Sequence, residues 1–430
     1  MSIDAVRTEE QITDVTASVY QLADRARRAS RVLKRANRDW KDRALLAMAS
    51  GIDSGRARII EENKKDLEVG RNNGTSPAML DRLKLDDKRI DGLIAALHEL
   101  AGLPDPVGRV VRGETLPNGL RMRQVNVPMG VIGTIYEARP NVTVDIAGLS
   151  LKSGNAVLLR GGTAAFNSNQ ALVSIIRDAL ESVSLPRDLV ASIDQYGRDG
   201  ADALMGARGK VDVLIPRGGR ELIQRVVTTA KVPVIETGEG NVHIFLDADA
   251  QEQMAIDILT NAKTQRPSVC NTVETLLIHK DSTAAAAVLK ALSAAGVTLH
   301  ADERAAALVP GLQTVAAQEE DWSTEYMDLD LAVKVVDDID QALDHIREYS
   351  TGHTEAILTS SLANSELFIA EIESAAVIVN ASTRFTDGGQ LGLGAEVGIS
   401  TQKMHARGPM GLTELTTTKW IVQGDGHVRK

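Results

Sequence analysis

Cys270 and Glu236 are the two residues of this sequence whose types and placement suggest covalent chemistry. Cys270 is the single cysteine and lies in Gln265-Arg-Pro-Ser-Val-Cys-Asn-Thr-Val, between a predicted helix and a predicted strand. Glu236 ends the predicted strand Val232–Glu236, 270 − 236 = 34 positions earlier. A thiol with a pKa of about 8.5 is only a few per cent ionised at neutral pH, so a nucleophilic cysteine needs nearby amides or a cation.

Each of these residues also has an ordinary structural interpretation. A free cysteine is most often a small buried hydrophobe, but proline and polar neighbours predict a loop at Cys270, which leaves nucleophile and core residue as equal alternatives. Ligands of open α/β sheets bind at the carboxyl ends of strands, where Glu236 is predicted to lie. A solvated loop acid is the equal alternative for Glu236.

Several other kinds of catalytic motif are missing from the sequence. It has no GxGxxG after a strand, no Walker A segment, no HExxH and no GxSxG. The eight histidines are scattered without the spacing of metal ligands. Metal-dependent hydrolysis, phosphoryl transfer by a P-loop and serine hydrolysis are therefore disfavoured, and no metal site is predicted.

Length and composition favour a globular protein of two or three domains. The chain has 430 residues, of which 43% are hydrophobic and 25% charged. Its net charge is 48 − 58 = −10, which argues against nucleic acid or an anionic membrane as the main partner. No apolar run approaches the ~20 residues of a membrane span, and Met1–Ser30 lacks a signal peptide's apolar stretch. With a single cysteine, these features predict a reducing, cytoplasmic compartment.

The sequence pattern predicts helices first and alternating strands and helices afterwards. Tyr20–Ala49 and Asp86–Leu100 have apolar residues at helical spacing, and Pro117-Asn-Gly119 predicts a hairpin over Arg112–Val127. Later β-rich runs alternate with helical stretches and predict two successive parallel α/β layers that divide near residues 238–240. These runs are Val131–Tyr136, Ala156–Arg160, Val211–Ile215, Val232–Glu236, Val242–Leu246, Val273–His279, Leu331–Val336, Glu355–Thr359 and Ala376–Asn380.

Longer motifs identify a family. A glutamate, a Gly-rich turn and a lone loop cysteine in this order resemble the aldehyde dehydrogenase superfamily. Within it, the chain resembles the gamma-glutamyl phosphate reductase family from about Asp39 to Trp420. The segments that carry this resemblance are Tyr136–Asp145, Ser153–Gly162, Val336–Ile357 and Leu391–Leu412.

The resemblance implies an aldehyde dehydrogenase-like α/β fold, with two doubly wound Rossmann-type parallel-sheet domains and a small β oligomerisation arm. Residues 1–110 and 128–237 would form the NADP(H)-binding domain, and residues 238–410 the catalytic domain. Residues 111–127 and 411–430 would form the arm, of which the hairpin could equally be an ordinary surface hairpin. An arm strand with exposed edge amides favours pairing, so a homodimer or homotetramer is expected.

The resemblance also implies a reaction. L-Glutamyl 5-phosphate would be reduced by NADPH to L-glutamate 5-semialdehyde and phosphate, the second step of proline biosynthesis from glutamate, through a thioester on Cys270. Two alternatives are an acylating dehydrogenase that uses coenzyme A and a catalytically idle scaffold homologue. An oxidative assay that compares phosphate with coenzyme A as acyl acceptor distinguishes the first alternative, and the retained Cys270, Glu236 and Glu325 argue against the second. A contact with the upstream glutamate 5-kinase is left open.

The resemblance assigns a set of site residues. Arg160 stands where the superfamily has a ribose-contacting lysine, and Thr163 stands where NAD-preferring relatives have a glutamate, which favours NADPH. Glu236 would help to deprotonate Cys270 or would have lost its role, and Asn141 would face the oxyanion or shape the turn after Pro140, with Asn271 as a second candidate. The catalytic set is Cys270, Asn141 and Glu236; the cofactor set is Arg160, Thr163, Arg217, Gly218, Gly219 and Glu325; the substrate set is Arg139, Arg384, Glu396 and Arg407.

Overall fold

The structure is a computed structural model that describes residues 9–137 and 139–429, so predictions that involve Met1–Thr8, Ala138 and Lys430 lie outside the described residues. The helices are α1 Glu9–Leu33, α2 Arg38–Ser54, α3 Arg56–Asn72, α4 Pro77–Leu83, α5 Asp87–Gly102, α6 Pro140–Lys152, α7 Phe166–Ser182, α8 Gly197–Gly206, α9 Arg220–Thr229, α10 Glu252–Thr264, α11 Ala285–Ala294, α12 Glu303–Leu308, α13 Ile339–Tyr349 and α14 Leu362–Glu371.

The strands follow the predicted order, with several short additions and without the predicted strand Val232–Glu236. They are β1 Val110–Thr115, β2 Arg121–Pro128, β3 Val131–Tyr136, β4 Ala156–Arg160, β5 Val190–Ser192, β6 Val213–Arg217, β7 Val242–Leu246, β8 Val273–His279, β9 Thr298–Ala301, β10 Val315–Ala316, β11 Asp330–Val336, β12 Thr354–Leu358, β13 Ala376–Val379, β14 Gly398–Ser400, β15 Gly408–Met410 and β16 Thr416–Gln423.

The chain divides into two compact units. Unit 1 comprises the described parts of Met1–Glu236, Leu393–Gly398 and Met410–Lys430; unit 2 comprises Thr237–Gly392 and Ile399–Pro409. Unit 1 contains a four-stranded parallel sheet in the order β5-β4-β3-β6. Every residue of β3 is buried, as expected for a parallel strand that is covered on both faces.

Unit 1 also contains a three-stranded antiparallel sheet in the order β1-β2-β16. Gly119 adopts a φ of +89° in the turn between β1 and β2, a conformation that glycine allows. β16 pairs with β2 from Thr416 opposite Pro128 to Gln423 opposite Arg121. The predicted hairpin and the C-terminal tail therefore form one sheet, and all six residues of β1 are exposed.

Unit 2 is built on a seven-stranded, all-parallel sheet in the order β10-β9-β11-β8-β7-β12-β13. Alternate residues of its strands enter two hydrophobic clusters, because side chains alternate between sheet faces. One cluster joins Ile244 and Leu276 to helices α10 and α11, and the other joins Phe245 and Leu277 to helices α13 and α14. Along the described chain, every helix is too short or too polar to cross a membrane.

Two sequence predictions about local structure are wrong. Val232–Glu236 does not form a strand, since only Val234 makes an isolated bridge, to Leu214. Pro233 has no N–H to donate to a ladder, although its carbonyl accepts the Leu214 N–H at 2.8 Å. The predicted helix over Tyr20–Ala49 is interrupted after Leu33, and Asn37 caps α2 by accepting the Trp40 N–H at 3.1 Å.

Candidate active site

Cys270 lies in the loop between helix α10 and strand β8, where the sequence predicted it, and its side chain is half-buried. The loop is closed by its own bonds. The Thr272 hydroxyl donates to the Arg266 carbonyl at 2.9 Å, and the Thr272 N–H donates to the Val269 carbonyl at 3.0 Å. These bonds fix the main chain on either side of the thiol.

Gly240 packs directly against the main chain of Cys270. A Cβ at Gly240 would lie 1.5 Å from the Cys270 carbonyl oxygen, so only glycine allows this approach. The Gly240 N–H donates to Glu325 Oε1 at 3.0 Å. Glu325, expected from the resemblance to bind the cofactor, therefore also orients the segment that packs against the cysteine.

Asn271 joins the cysteine loop to the segment around Thr383. Its Nδ2 donates to the Thr386 carbonyl at 2.9 Å, and the Asn271 carbonyl accepts the Thr383 hydroxyl at 2.7 Å. Asn271 is buried. Its side-chain amide thus helps to fix the loop.

Arg384 is a cation beside the cysteine loop. Its Nε donates to Gln265 Oε1 at 2.9 Å, and its Nη1 is buried without a hydrogen-bond partner among the described residues. Burial lowers the pKa of Arg384, while the opposing charges of Cys270 and Asp387 raise it. An arginine remains protonated under such conditions, so it can stabilise an anion at this loop.

A buried ion pair connects the two elements that flank the cysteine loop. Lys263 Nζ, at the end of α10, lies 2.6 Å from Glu274 Oε2, at the start of β8, and both side chains are 0% exposed. Burial raises the pKa of Glu274 and lowers that of Lys263, and the opposite charge of each partner opposes the shift of the other. The sequence pattern did not single out this pair, because a lysine and a glutamate eleven positions apart have no helical or strand periodicity in common.

In unit 1, the candidate cofactor residues lie at the carboxyl ends of strands β4 and β6. Arg160 ends β4, is half-buried, and donates from Nε to the Gly197 carbonyl at 3.4 Å. Burial lowers its pKa, and the charges of Asp194 and Glu137 oppose that shift. Thr163 is exposed and begins a short 3₁₀ helix, Thr163–Ala165.

The segment Pro216–Gly219 connects β6 to helix α9. Gly219 is the N-cap of α9, and its N–H donates to Glu137 Oε2 at 3.3 Å. A Cβ at Gly218 would lie 2.6 Å from the same carboxylate oxygen. Helix N-termini bind anions, and here the anion is Glu137, which the sequence pattern did not identify although it directly follows strand β3.

Comparison with known proteins then places the chain in a family. The aldehyde dehydrogenase family profile matches residues 2–321. The chain is 57% identical over 421 residues to the gamma-glutamyl phosphate reductase of Kineococcus radiotolerans, an alignment that covers 97% of this chain and 98% of that protein. This chain belongs to the gamma-glutamyl phosphate reductases of the aldehyde dehydrogenase family.

Solved structures agree with this membership. The gamma-glutamyl phosphate reductase of Thermotoga maritima superposes with a TM-score of 0.92 at 47% identity, covering 96% of this chain and 100% of that chain. An acetylating aldehyde dehydrogenase from Geobacillus thermoglucosidasius, 16% identical over 98% of this chain and 100% of that chain, has a TM-score of 0.72 and shows the common fold. The predicted family and fold class are confirmed.

Within this family member, the remaining predicted residues have the following positions. Asn141 is exposed in the first turn of α6 and donates from Nδ2 to Asp145 Oδ2 at 3.1 Å, and Arg139 is the N-cap of the same helix. Glu236 and Glu396 are half-buried residues of unit 1. In unit 2, Arg407 donates from Nη2 to the Glu373 carbonyl.

The structure therefore brings the predicted residues together in two groups. In unit 2, Glu325 and Arg384 each contact a segment that fixes the Cys270 loop. In unit 1, the negative charge of Glu137 opposes the lowering of the pKa of Arg160 by burial, and the same carboxylate accepts the Gly219 N–H. Asn141 is bonded to Asp145 within its own helix.

Proposed function

We propose that this chain catalyses the NADPH-dependent reduction of L-glutamyl 5-phosphate to L-glutamate 5-semialdehyde and phosphate, the second step of proline biosynthesis from glutamate. Its relatives at 52–57% identity over nearly their whole length are named gamma-glutamyl phosphate reductase. The observation that carries the proposal is the single cysteine in a loop that Gly240, Asn271 and the loop's own bonds fix.

The proposed chemistry begins with the Cys270 thiolate. Its sulfur attacks the acyl carbon of the acyl phosphate, the bond from that carbon to the phosphate oxygen breaks, and phosphate leaves with its electron pair. The product is a thioester on Cys270. Bound NADPH would supply the hydride that reduces this thioester. Collapse of the resulting hemithioacetal releases the aldehyde and returns the thiolate.

Both steps generate an oxyanion next to the sulfur. Main-chain N–H groups of the loop around Cys270 are the proposed donors, because preorganised amides stabilise such charge most effectively. Asn141 remains a proposed side-chain donor, although its Nδ2 is 3.1 Å from Asp145 Oδ2. Glu236 would help to deprotonate the thiol or have no role, since activation of water would waste a thioester that is to be reduced.

In unit 1, the proposed cofactor contacts are made by two glycines and two arginines. Gly218 and Gly219 lie exposed at the N-terminus of α9, with Arg217 before them, which fits a pyrophosphate. Arg160 would bind the 2′-phosphate, and Thr163 presents no repelling carboxylate. One charge-assisted bond of about 1.5–3 kcal/mol corresponds to a roughly 10–150-fold preference for NADPH over NADH. Glu325 would hold the nicotinamide ribose.

The remaining proposals concern the substrate contacts, assembly and location. Arg139, Glu396 and Arg407 are proposed substrate-binding residues together with Arg384. The sheet β1-β2-β16, with β1 exposed along its whole length, would pair with another copy in a homodimer or homotetramer. The enzyme would act in the cytoplasm, and a contact with glutamate 5-kinase is a further proposal.

The test is an NADP⁺ reduction assay with L-glutamate 5-semialdehyde and phosphate. The native chain should reduce NADP⁺, Cys270→Ser should not, and NAD⁺ should be at least about tenfold less efficient. Coenzyme A in place of phosphate should not support turnover. Activity with coenzyme A alone, or a fully active Cys270→Ser variant, would overturn the proposal.

A further inference from the structure

A polar cleft of about 280 Å³ lies in unit 2, lined by Asn261, Gln265, Arg384, Phe385, Asp387 and Gln390. Its wall is attached to the cysteine loop on both sides of the thiol. Before the thiol, Gln265 accepts from Arg384 Nε at 2.9 Å. After it, Asn271 binds Thr383 at 2.7 Å and Thr386 at 2.9 Å, on either side of Arg384. The wall of this cleft therefore has a fixed position relative to the Cys270 loop.

The cleft contains both signs of charge. Arg384, which lines the cleft, contributes a guanidinium whose Nη1 is buried and lacks a hydrogen-bond partner among the described residues. Asp387 contributes a carboxylate whose Oδ1 accepts the Gly389 N–H at 2.9 Å and the Gln390 N–H at 3.2 Å. Its second oxygen is therefore oriented by a fixed turn.

These charges discriminate between the groups that the substrate presents. A phosphate would be attracted by Arg384 but repelled by Asp387, and an apolar chain would leave both charges without a partner. An α-amino acid head group presents a carboxylate and an ammonium on one carbon, which matches one guanidinium and one carboxylate lining the same cleft.

We propose that this cleft binds the amino acid head group of the substrate, with Arg384 on the α-carboxylate and Asp387 on the α-ammonium. This assignment rests on the proposed function and names the residues that restrict it to a glutamyl substrate. Three bonds separate the reacting carbonyl carbon from the α-carbon, a span of about 3.8 Å when extended. The head-group site must therefore lie near the thiol, and Gln265, which lines the cleft, precedes Cys270 by 270 − 265 = 5 positions in the same loop.

The test uses matched aldehydes in the NADP⁺- and phosphate-dependent oxidation. Beside glutamate 5-semialdehyde, 5-oxopentanoate has the same chain and carboxylate without the amino group, and 4-aminobutanal has the amino group without the carboxylate. Arg384→Gln should raise KM by roughly 10–150-fold for the two aldehydes with a carboxylate and leave KM for 4-aminobutanal and phosphate within about twofold. Asp387→Asn should raise KM for the two aldehydes with an amino group and leave 5-oxopentanoate unaffected.

The control variants are Arg347→Gln and Asp344→Asn, an exposed pair 2.7 Å apart on α13 of the same unit, which should change no KM. Asp387→Asn keeps an oxygen that can accept the Gly389 and Gln390 N–H groups, so we expect the turn to be preserved in this variant. Its KM values therefore test the head-group site even if Arg384→Gln does not fold. A raised KM for phosphate with unchanged KM for every aldehyde would overturn the proposal and assign Arg384 to phosphate. A native chain that oxidises no aldehyde with NADP⁺ and phosphate would instead overturn the proposed function.

Discussion

The loop that carries Cys270 and the segment Pro216–Gly219 both follow the α/β pattern, yet they differ in what fixes them. The Cys270 loop is bound by Asn271 to a distant segment, packed against Gly240 and flanked by a buried ion pair. The segment Pro216–Gly219 is exposed at both glycines, and Gly219 donates a 3.3 Å hydrogen bond to Glu137. This difference matches the proposed roles, since covalent chemistry needs fixed atoms and an exchangeable cofactor needs accessible amides.

The largest expected effect contrasts two residues of the two units. Cys270→Ala should lower kcat by at least about 10³-fold, because it removes the sulfur on which the proposed thioester would form. Glu236→Gln should lower kcat by much less. Steady-state kinetics of both variants check this ranking, and an equal loss of activity in Glu236→Gln would assign that carboxylate an essential role.

The ion pair beside the cysteine loop should dominate the stability of that region. Lys263→Met leaves Glu274 buried without its cation, which should lower the free energy of unfolding by about 3–5 kcal/mol. Replacing both partners in Lys263→Met/Glu274→Leu should cost less than the single change.

Urea unfolding measures both, with Lys290→Met, an exposed lysine of the same unit, as the control. If Lys263→Met were as stable as the control Lys290→Met, the ion pair would not fix the flanks of the Cys270 loop.

Acid should weaken the buried part of unit 2 through its histidines. Burial lowers the pKa of His353 to about 4 from its ordinary value of 6.5, so below pH 6.5 the unfolded chain binds a proton that the folded chain does not. The resulting stability is complete above pH 6.5 and decreases as the pH falls towards 4. His353 alone should cost about 2 kcal/mol between pH 7 and pH 5.

Between pH 7 and pH 5, the free energy of unfolding of the native chain should fall by about 2 kcal/mol more than that of His353→Gln. Unfolding curves of both proteins at the two pH values measure this difference. His345, whose pKa burial lowers to about 2, should maintain part of the acid sensitivity in the variant. An unchanged pH dependence in His353→Gln would contradict a neutral buried imidazole at position 353.

The smallest effect is expected at the exposed cofactor segment. Glu137→Gln removes a negative charge beside the Gly219 N–H, where a pyrophosphate is proposed to bind, and should tighten NADPH binding by about 2- to 5-fold. NADPH fluorescence titration measures this, with Glu181→Gln, an exposed acid of unit 1, as the control. Weaker binding would mean that Glu137 itself contacts the nucleotide.

Local sequence patterns predicted most of the longer strands of the two parallel sheets. Four strands have the predicted bounds, because a short apolar run between two helical stretches is typical of a buried strand. They are Val131–Tyr136, Ala156–Arg160, Val242–Leu246 and Val273–His279. The pattern failed at Val232–Glu236, where Pro233 prevents a ladder, and it missed two- to four-residue strands such as Val315–Ala316.

The surroundings of Cys270 were less predictable than its position. Gly240 and Asn271 act through contacts with the main chain or with residues more than a hundred positions away, such as Thr386, and these contacts leave no local periodicity. Glu137 and Asp387 lay within or beside family-like motifs, but only the fold shows that they face Gly219 and the polar cleft.

Mass spectrometry of the acylated enzyme tests the central claim most directly. The enzyme is incubated with L-glutamyl 5-phosphate in the absence of NADPH, quenched in acid and digested, and the peptide that contains Cys270 is examined. The account predicts a glutamyl group on this peptide that disappears when NADPH is added before the quench. A glutamyl adduct on any other residue, with Cys270 unmodified during turnover, would contradict it.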